Sequence, residues 1–375
     1  MSQPYRVLCV FGTRPDAIKM APVVKALQSL SESFEARVAV TGQHREQLDQ
    51  VLRVFDITPN HDLTIMKHGQ TLTQITTRVL EGLDNVIKEE QPDVLLAQGD
   101  TSTTFVAALA AFYHHIPYGH VEAGLRTDNI YDPFPEEMNR RLAGAIATFH
   151  FAPTEQARAN LLRENIQPEN IWVTGNTGID ALLEVAQRPY RFEDQSLQNI
   201  VDGKHRVVLV TAHRRENWGD PLERICNAVR QLAEEFTDCE FVYAMHKNPT
   251  VRDIAHAILD GRERVHLIEP PDYAPFIKLM QRSTLILTDS GGVQEEAPSL
   301  GVPVLVLRNT TERPEGVSAG AAKLVGTELE SIITEARNLL TNTEEHNKMA
   351  RTINPYGDGH ASMRICQALL EGLNR

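Results

Sequence analysis

The sequence RVLCVFGTRPDAIKMAPVVKALQSLSESFEARVAVTG, residues 6–42, decides the fold class. Two short apolar runs rich in β-branched residues, 6–12 and 36–42, stand on either side of a longer amphipathic segment, 15–30. Strands that are apolar throughout are typical of a parallel sheet covered on both faces. The stretch therefore predicts a strand, a helix and a second strand of one parallel sheet.

The same alternation continues along the chain in two series. In the first series, strand-like runs at 93–100 and 117–124 are each followed by a helical segment. The second series has strand-like runs at 206–214, 240–248, 264–270 and 284–292. Two series in 375 residues predict an α/β protein with two Rossmann-like, doubly wound domains that face a cleft.

The domain boundary is expected near residue 168. Periodicity is weakest in the surface connection 187–204, and the strand-like run 171–176 before it fits the second domain. The C-terminal helical segment is expected to pack back on the first domain. The predicted domains are 1–168, with 358–375 added, and 169–357.

Composition excludes several functional classes. The chain carries 37 Lys and Arg against 50 Asp and Glu, a net charge of −13, which disfavours nucleic acid as a partner. The spacing of its four cysteines suits neither zinc nor a disulfide framework, so we expect no metal site. No run approaches the ~18 apolar residues of a membrane span, and the N-terminal run is too short for a signal peptide. These features predict a cytoplasmic protein without membrane contact.

Titratable and phosphate-seeking residues follow the predicted strands. In open α/β sheets, ligands bind outside the carboxyl ends of the strands. Residues of this kind follow five predicted strands; they are Arg14 and Lys19, Asp100, Glu122, His213, and Ser290 with Gly291 and Gly292. Their recurrence at strand ends predicts a ligand site in the cleft.

The segment Ser290-Gly291-Gly292 opens a predicted helix. Free N–H groups and the helix dipole at such a position attract an anion, and glycines allow a close approach. A tight turn without a ligand is the alternative. Glu296, in the first turn of this helix, either accepts hydrogen bonds from a ribose or stabilises the dipole.

Three carboxylates form a candidate acid–base set. Asp100 and Glu122 follow neighbouring strands, and Glu136 stands at a predicted helix start. Carboxylates that share a cleft shift one another's pKa values, which suits proton transfer. For Glu136, the alternatives are stabilisation of the helix dipole and pairing with Arg140 at the i+4 position.

Several cations are candidates to contact phosphate. Arg14 and His213 fit a diphosphate, because arginine matches phosphate oxygens with a planar fork. Lys19 and Arg313 are further candidates, with solvated surface residues as the alternative. No GxGxxG, GxxxxGK[ST], HExxH or GxSxG motif occurs in the expected context, so the sequence predicts an enzyme without a bound cofactor.

The motifs FGTRPDAIKMAP (11–22), GHVEAGLRT (119–127) and TDSGGVQEEAPSLG (288–301) resemble those of bacterial non-hydrolysing UDP-N-acetylglucosamine 2-epimerases. The resemblance covers nearly the whole chain. It implies a homodimer of the glycosyltransferase-B-type fold that interconverts UDP-N-acetylglucosamine and UDP-N-acetylmannosamine. It also implies elimination of UDP and re-addition through 2-acetamidoglucal, in the supply of surface-polysaccharide synthesis.

The resemblance assigns roles to single positions. It implies catalytic roles for Asp100, Glu122, Glu136 and His213. It implies substrate binding by Arg14, Lys19, Phe276 beside the uracil, Ser290, Gly291 and Gly292 at the phosphates, Glu296 at the ribose, and Arg313; we add Arg140 to this set.

Two departures and three alternatives accompany the resemblance. Pro271 stands where the family often has glutamine. Gly69 replaces an arginine that some members use to bind a second, activating substrate molecule, although Gln43 and Gln70 are retained. The alternatives are a glycosyltransferase, a 2-epimerase of a related UDP-sugar, and a UDP-sugar sensor without catalytic activity.

Overall fold

The computed structural model describes residues 3–42, 45–67 and 69–374. Gln43 therefore lies outside the described residues. The chain divides into two compact units, one formed by Met1–Ala181 with Gly357–Arg375 and the other by Leu182–Tyr356. Each unit contains one parallel sheet with helices around it.

The first unit is built on a sheet of seven described strands. These strands are β1 (Tyr5–Phe11), β2 (Phe34–Val40), β3 (His61–Asp62), β4 (Val94–Gln98), β5 (Tyr118–Val121), β6 (Phe149–Ala152) and β7 (Ile171–Val173). The sheet order is β3-β2-β1-β4-β5-β6-β7, with parallel pairing throughout. The order reverses direction beside β1, so the ends of β1 and β4 form a switch point where ligands bind in such folds.

Helices connect the strands of the first unit. They are α1 (Arg14–Ser29), α2 (Arg45–Phe55), α3 (Leu72–Glu90), α4 (Ser102–Tyr113), α5 (Glu136–Ile146), α6 (Glu155–Arg163) and α7 (Thr177–Gln187). Apolar side chains of α3 and α4 pack against β1 and β4 in one buried cluster. Burial of such surface, at about 25 cal/mol per Å², is the main force that stabilises the unit.

The second unit repeats the design with a sheet of six described strands. These strands are β8 (Arg206–Thr211), β9 (Cys239–Ala244), β10 (Val265–Ile268), β11 (Leu285–Thr288), β12 (Val304–Val306) and β13 (Ala322–Leu324). The sheet order is β10-β9-β8-β11-β12-β13, with every pairing parallel. The ends of β8 and β11 are neighbours and form the switch point of this sheet.

The helices of the second unit cover its sheet. They are α8 (Gln195–Asp202), α9 (Asp220–Glu235), α10 (Pro249–Leu259), α11 (Tyr273–Arg282), α12 (Gly291–Glu296), α13 (Pro314–Ala319), α14 (Leu329–Thr341) and α15 (Thr343–Ala350). Side chains of α9 and α14 join those of β8 and β9 in a buried cluster. None of the helices in the described part of the chain is both long and apolar enough to cross a membrane.

The division between the units differs from the expected boundary at residue 168. Strand β7 pairs with β6, and α7 crosses the division at Ala181. The run 171–176, which the sequence assigns to the second domain, therefore lies in the first unit. Three residues of strand carry no sequence signal that selects one sheet over the other, so this pairing was not predictable from local pattern.

The last helix, α16 (Ala361–Leu373), belongs to the first unit. It packs beside α1, and its Gly372 leaves room for the Phe149 ring, which a Cβ would approach within 2.2 Å. Its first turn is fixed by Asp180, whose carboxylate accepts hydrogen bonds from the backbone N–H groups of Ala361 at 3.1 Å and Ser362 at 2.8 Å. A carboxylate at a helix N-terminus also complements the helix dipole.

Candidate active site

In the first unit, the carboxyl ends of β1, β4 and β5 are adjacent. The three turns that follow these strands carry Arg14, Asp100 and Glu122. Gly99 lies between two of them, with a backbone φ of 77° that favours glycine. A Cβ at this position would stand 3.6 Å from Glu122 Oε2, so the turn of Asp100 and the Glu122 carboxylate are close neighbours.

Glu122 is fixed on both carboxylate oxygens. Lys19 Nζ forms an ion pair with Oε1, and Gln98 Nε2 donates a hydrogen bond to Oε2. The Glu122 backbone has a φ of 64°, a left-handed conformation that is unfavourable for a residue with a side chain. A cation and an amide donor hold one oxygen each, so the orientation of the carboxylate is fixed.

Asp100 is fixed by α5. Arg140 Nη2 donates to Asp100 Oδ2 at 2.6 Å, and Asn139 Nδ2 donates to the Asp100 carbonyl at 2.9 Å. Arg140 also lies 3.3 Å from Glu137. Arg140 therefore pairs with Asp100 and Glu137, whereas the sequence offered Glu136 as its partner. The charge-assisted bond to arginine fixes the orientation of the Asp100 carboxylate.

Glu136 and Glu137 have different surroundings at the start of α5. Glu137 is 0% exposed and accepts hydrogen bonds from Arg141 Nε at 2.8 Å and the Thr127 backbone N–H at 3.1 Å. Glu136 is half-buried, and its carboxylate has no hydrogen bond or ion pair with any described residue. Glu137 therefore has a structural role, while Glu136 is available to a ligand.

His120 lies below the turn of Asp100 and is fully buried. Its Nε2 is 2.7 Å from the Gly99 carbonyl oxygen, which requires Nε2 to carry the proton. Burial lowers the pKa of His120 to about 4, so the ring is neutral at neutral pH. His120 thereby fixes the Gly99 backbone without adding a charge.

The N-terminus of α1 is occupied by a side chain of its own first turn. Asp16 accepts hydrogen bonds from the backbone N–H groups of Gly12 at 3.1 Å, Thr13 at 2.6 Å and Ala17 at 3.0 Å. Burial raises the pKa of Asp16 to about 6, against the effect of these donors. Arg14, the first residue of the helix, is half-buried.

In the second unit, His213 and the Ser290 turn follow the neighbouring strands β8 and β11. The His213 ring stacks on His246, with ring centroids 5.6 Å apart and an angle of 17° between the planes. Its Nδ1 is 3.3 Å from Oδ1 of Asp289. Burial lowers the pKa of His213, and the nearby Asp289 opposes that shift.

The turn of Ser290, Gly291 and Gly292 begins α12. Gly291 and Gly292 are the first two helical residues, so their amides have no acceptor within the helix. Arg214 and Glu312 form an ion pair of 2.8 Å beside this turn. A Cβ at Gly291 would lie 3.5 Å from Arg214 Nη2 and 3.3 Å from Glu312 Oε1, so the glycine keeps the amides approachable.

The remaining predicted residues of the second unit lie on or after α11 and α12. Phe276 is half-buried in α11, and Glu296 ends α12. The Arg313 guanidinium donates from Nε to the buried carboxylate of Glu295. Arg313 is therefore oriented by an ion pair, with part of its guanidinium accessible at the surface.

The structure thus places Arg14, Asp100 and Glu122 at adjacent strand ends of the first unit, and His213 and the Ser290 turn at neighbouring strand ends of the second. Sequence reasoning missed the side chains that fix these groups, which are Gln98, His120, Asn139, Glu137, Asp289 and Glu312. A usable signal exists for Gln98 and Asp289, because each stands at the end of a predicted strand. Among the described residues, no group of three or more His, Cys, Asp and Glu side chains is arranged to hold a metal ion.

The departure at Gly69, in the stretch before α3, has a local structural context. Gly69 has a φ of 69°, and a Cβ there would meet no atom within 4 Å. The Gln70 side chain accepts hydrogen bonds from the Lys67 backbone N–H at 2.5 Å and from Arg78 Nη1 at 2.9 Å. Gln70 therefore braces its own loop.

Two Rossmann-like domains, with carboxylates at the strand ends of one and a glycine turn at those of the other, define the class of α/β protein that binds its ligand at the carboxyl ends of its strands. A family model described as UDP-N-acetylglucosamine 2-epimerase matches residues 25–370. The chain belongs to the UDP-N-acetylglucosamine 2-epimerase family, and the resemblance noted from its motifs is confirmed.

Individual relatives agree with this assignment. The chain is 54% identical over 365 residues to the UDP-N-acetylglucosamine 2-epimerase of Bacillus subtilis, covering 97% of this chain and 95% of the relative. A crystal structure of the Neisseria meningitidis enzyme bound to UDP-GlcNAc is 48% identical, with a TM-score of 0.84, over 98% of this chain and 100% of that one.

A more distant likeness concerns the fold alone. The glycotransferase of kitacinnamycin matches with a TM-score of 0.65 at 11% identity, over 99% of this chain and 100% of that one. The predicted α/β fold class, with two Rossmann-like domains of the glycosyltransferase-B type, is confirmed.

Proposed function

We propose that the enzyme interconverts UDP-N-acetylglucosamine and UDP-N-acetylmannosamine without hydrolysis, by eliminating UDP and adding it back to 2-acetamidoglucal. The observation that carries the proposal is the pair of fixed carboxylates, with Glu122 bound by Lys19 and Gln98 and Asp100 bound by Arg140. Two oriented carboxylates at adjacent strand ends suit proton transfer at the two faces of one carbon. The Neisseria relative that binds UDP-GlcNAc supports the substrate.

The C2 proton is poorly acidic, and the elimination step explains how it can be removed. A carboxylate takes the proton from C2, the C1–C2 double bond forms, and the C1–O bond breaks with its electrons going to UDP. For re-addition, a proton returns to the other face of C2, and UDP oxygen bonds to C1 again. Because the two faces need separate groups, Asp100 and Glu122 are assigned to them, and Glu136 supports this work.

Charge on the departing diphosphate needs stabilisation. We assign this to Arg14, His213 and the turn of Ser290, because preorganised donors stabilise developing charge most effectively. The amides of Gly291 and Gly292, which have no acceptor within the helix, fit a phosphate oxygen. The remaining assignments are Lys19 and Arg140 near the sugar, Phe276 beside the uracil, Glu296 at the ribose and Arg313 at a further substrate contact.

The test follows C2 of the sugar by NMR in deuterated water, with purified protein and UDP-N-acetylglucosamine alone. We expect deuterium at C2 and the appearance of UDP-N-acetylmannosamine. Release of free N-acetylmannosamine would indicate hydrolysis, and a need for an acceptor would indicate a glycosyltransferase. Either result, or the absence of C2 exchange, would reject the proposal.

The assignment of Asp100 has its own test. Asp100→Asn keeps the shape but removes the base and the charge bound by Arg140, so turnover should fall at least about a hundredfold. Asp253→Asn, an exposed position of α10, is the matched control and should keep wild-type turnover. Turnover within a few-fold of wild type for Asp100→Asn would contradict the assignment.

We further propose that the enzyme is a cytoplasmic homodimer that supplies surface-polysaccharide synthesis. This proposal is supported by the resemblance of the chain to its family. Light scattering on the purified protein is expected to give twice the chain mass of 42.0 kDa. A mass of one chain at concentrations used for the activity assay would contradict it.

A further inference from the structure

Asp289 is a buried carboxylate between the two switch-point loops of the second unit. It follows β11 directly, precedes Ser290 and is 0% exposed. Its Oδ2 accepts three hydrogen bonds, from the backbone N–H groups of His213 and Arg214, both at 2.8 Å, and from Asn217 Nδ2 at 2.9 Å. Three donors directed at one oxygen fix the orientation of the carboxylate.

The other oxygen of Asp289 faces the His213 ring. Oδ1 is buried and makes no hydrogen bond with any described residue, although it is 3.3 Å from His213 Nδ1. A buried polar atom without a partner costs about 1–3 kcal/mol, so a donor on Nδ1 is favoured at this position. The neutral ring then carries its proton on Nδ1 and leaves Nε2 unprotonated.

The rest of the His213 residue is also constrained. Its carbonyl accepts a hydrogen bond from Trp218 Nε1 at 3.2 Å, and the exposed His246 ring stacks on one face of the imidazole. The charged or titratable groups that influence the ring are Asp289, His246 and Arg214. Of these, Asp289 alone favours the doubly protonated ring, because the other two are cationic when charged.

We propose that Asp289 is a positioning residue for His213, which fixes the ring with Nδ1 protonated and supports the imidazolium that donates from Nε2 to the diphosphate. This inference rests on the proposed function, in which His213 contacts the leaving UDP. The same carboxylate ties the loop after β8 to the residue before Ser290, so both groups that meet the diphosphate are placed by one side chain. Binding of UDP then takes up a proton at Nε2.

The substitution Asp289→Asn tests this role, because the hydrogen-bond donors around the side chain allow the new amide group only one orientation. The three N–H donors require the amide oxygen at the position of Oδ2, so the NH2 group must face His213 Nδ1. An NH2 group donates to an unprotonated Nδ1 and moves the proton of the neutral ring to Nε2. The imidazolium, which carries protons on both nitrogens, is then disfavoured.

Two measurements on the full chain read out this change. Nitrogen-15 NMR of histidine-labelled protein, with His213 assigned by its loss in His213→Gln, should show the Nδ1–H form in the wild type and the Nε2–H form in Asp289→Asn. Calorimetry with UDP at pH 6 and pH 8 should show tighter binding at pH 6 for the wild type. In Asp289→Asn, affinity at pH 6 should fall about tenfold, as for loss of one charged hydrogen bond, and its dependence on pH should flatten.

Asn217→Ala is the matched control. It removes one donor from Oδ2 but leaves Oδ1 and Nδ1 in place, so it should lower stability while keeping the wild-type tautomer and pH dependence. An unchanged tautomer in Asp289→Asn would overturn the positioning role whatever the activity. If instead the tautomer switches but His213→Gln binds UDP as tightly as wild type, the positioning stands and the proposed contact of His213 with diphosphate fails.

Discussion

The turns after β1 and β11 have the same plan, a strand that leads through a short turn into a helix, but they place their carboxylates differently. In the turn after β1, Asp16 belongs to the helix and accepts the amides of Gly12 and Thr13. In the turn after β11, Asp289 precedes the helix and accepts amides of the neighbouring loop.

This difference bears on the proposed phosphate contact of the Ser290 turn. A carboxylate in the first turn uses the N–H groups and places negative charge at the positive end of the helix dipole. A carboxylate one residue before the N-cap accepts from the neighbouring loop instead, so the amides of Gly291 and Gly292 keep no acceptor within the helix. The same motif is therefore structural in the first unit and suited to phosphate in the second.

The largest expected effect is on stability, from a substitution in the turn after β1. A Cβ at Gly12 would lie 1.8 Å from Thr41 Oγ1, and both Thr41 and its neighbour Thr103 are buried. Gly12→Ala should therefore lower the free energy of unfolding by more than about 3 kcal/mol, measured by urea denaturation. Adding Thr41→Ala should recover part of the loss. Wild-type stability for Gly12→Ala would show that the turn is not packed as described.

The charge state of Asp16 gives the next largest effect. Its pKa is raised from 3.8 to about 6 in the folded chain, so the protonated side chain stabilises the fold below pH 4 and that contribution is lost as the pH rises through 6. Asn cannot titrate. The stability of wild type minus that of Asp16→Asn should fall by about 2 kcal/mol between pH 4 and pH 7. A difference that rises with pH would mean that the hydrogen bonds outweigh burial.

The smallest effect on stability is expected from a substitution in the turn after β11. A Cβ at Gly291 would meet only the ends of the Arg214 and Glu312 side chains, which can move. Gly291→Ala should change the free energy of unfolding by less than about 1 kcal/mol, yet weaken UDP binding about tenfold by blocking the amide. Calorimetry checks the affinity. An unchanged affinity of Gly291→Ala for UDP would show that this turn does not bind the phosphate.

The sequence predicted the fold because its signals are local. The runs 6–12 and 36–42 correspond to Tyr5–Phe11 and Phe34–Val40, and the helix between them was also placed within a residue or two. Apolar strands and an amphipathic helix are recognisable from their own residues alone. The division near Ala181 was not, because the side on which β7 pairs depends on contacts outside the strand.

The partners of the candidate site residues were harder to predict. Lys19 was expected at the nucleotide sugar, and its ion pair with Glu122 joins positions 103 residues apart. The sequence offers Glu136 as a partner for Arg140, but the packing of α5 places Arg140 on Asp100 and Glu137. Which residue pairs across a sheet edge depends on strand order, which local pattern does not encode.

The return of α16 to the first unit has a consequence for biosynthesis. Phe149 and Asp180 receive their partners from residues after 357, which leave the ribosome after the whole of Leu182–Tyr356. The unit whose sequence starts first is thus completed last. During translation, the middle of the chain has all its residues for folding while the earlier sheet still waits for its final helix.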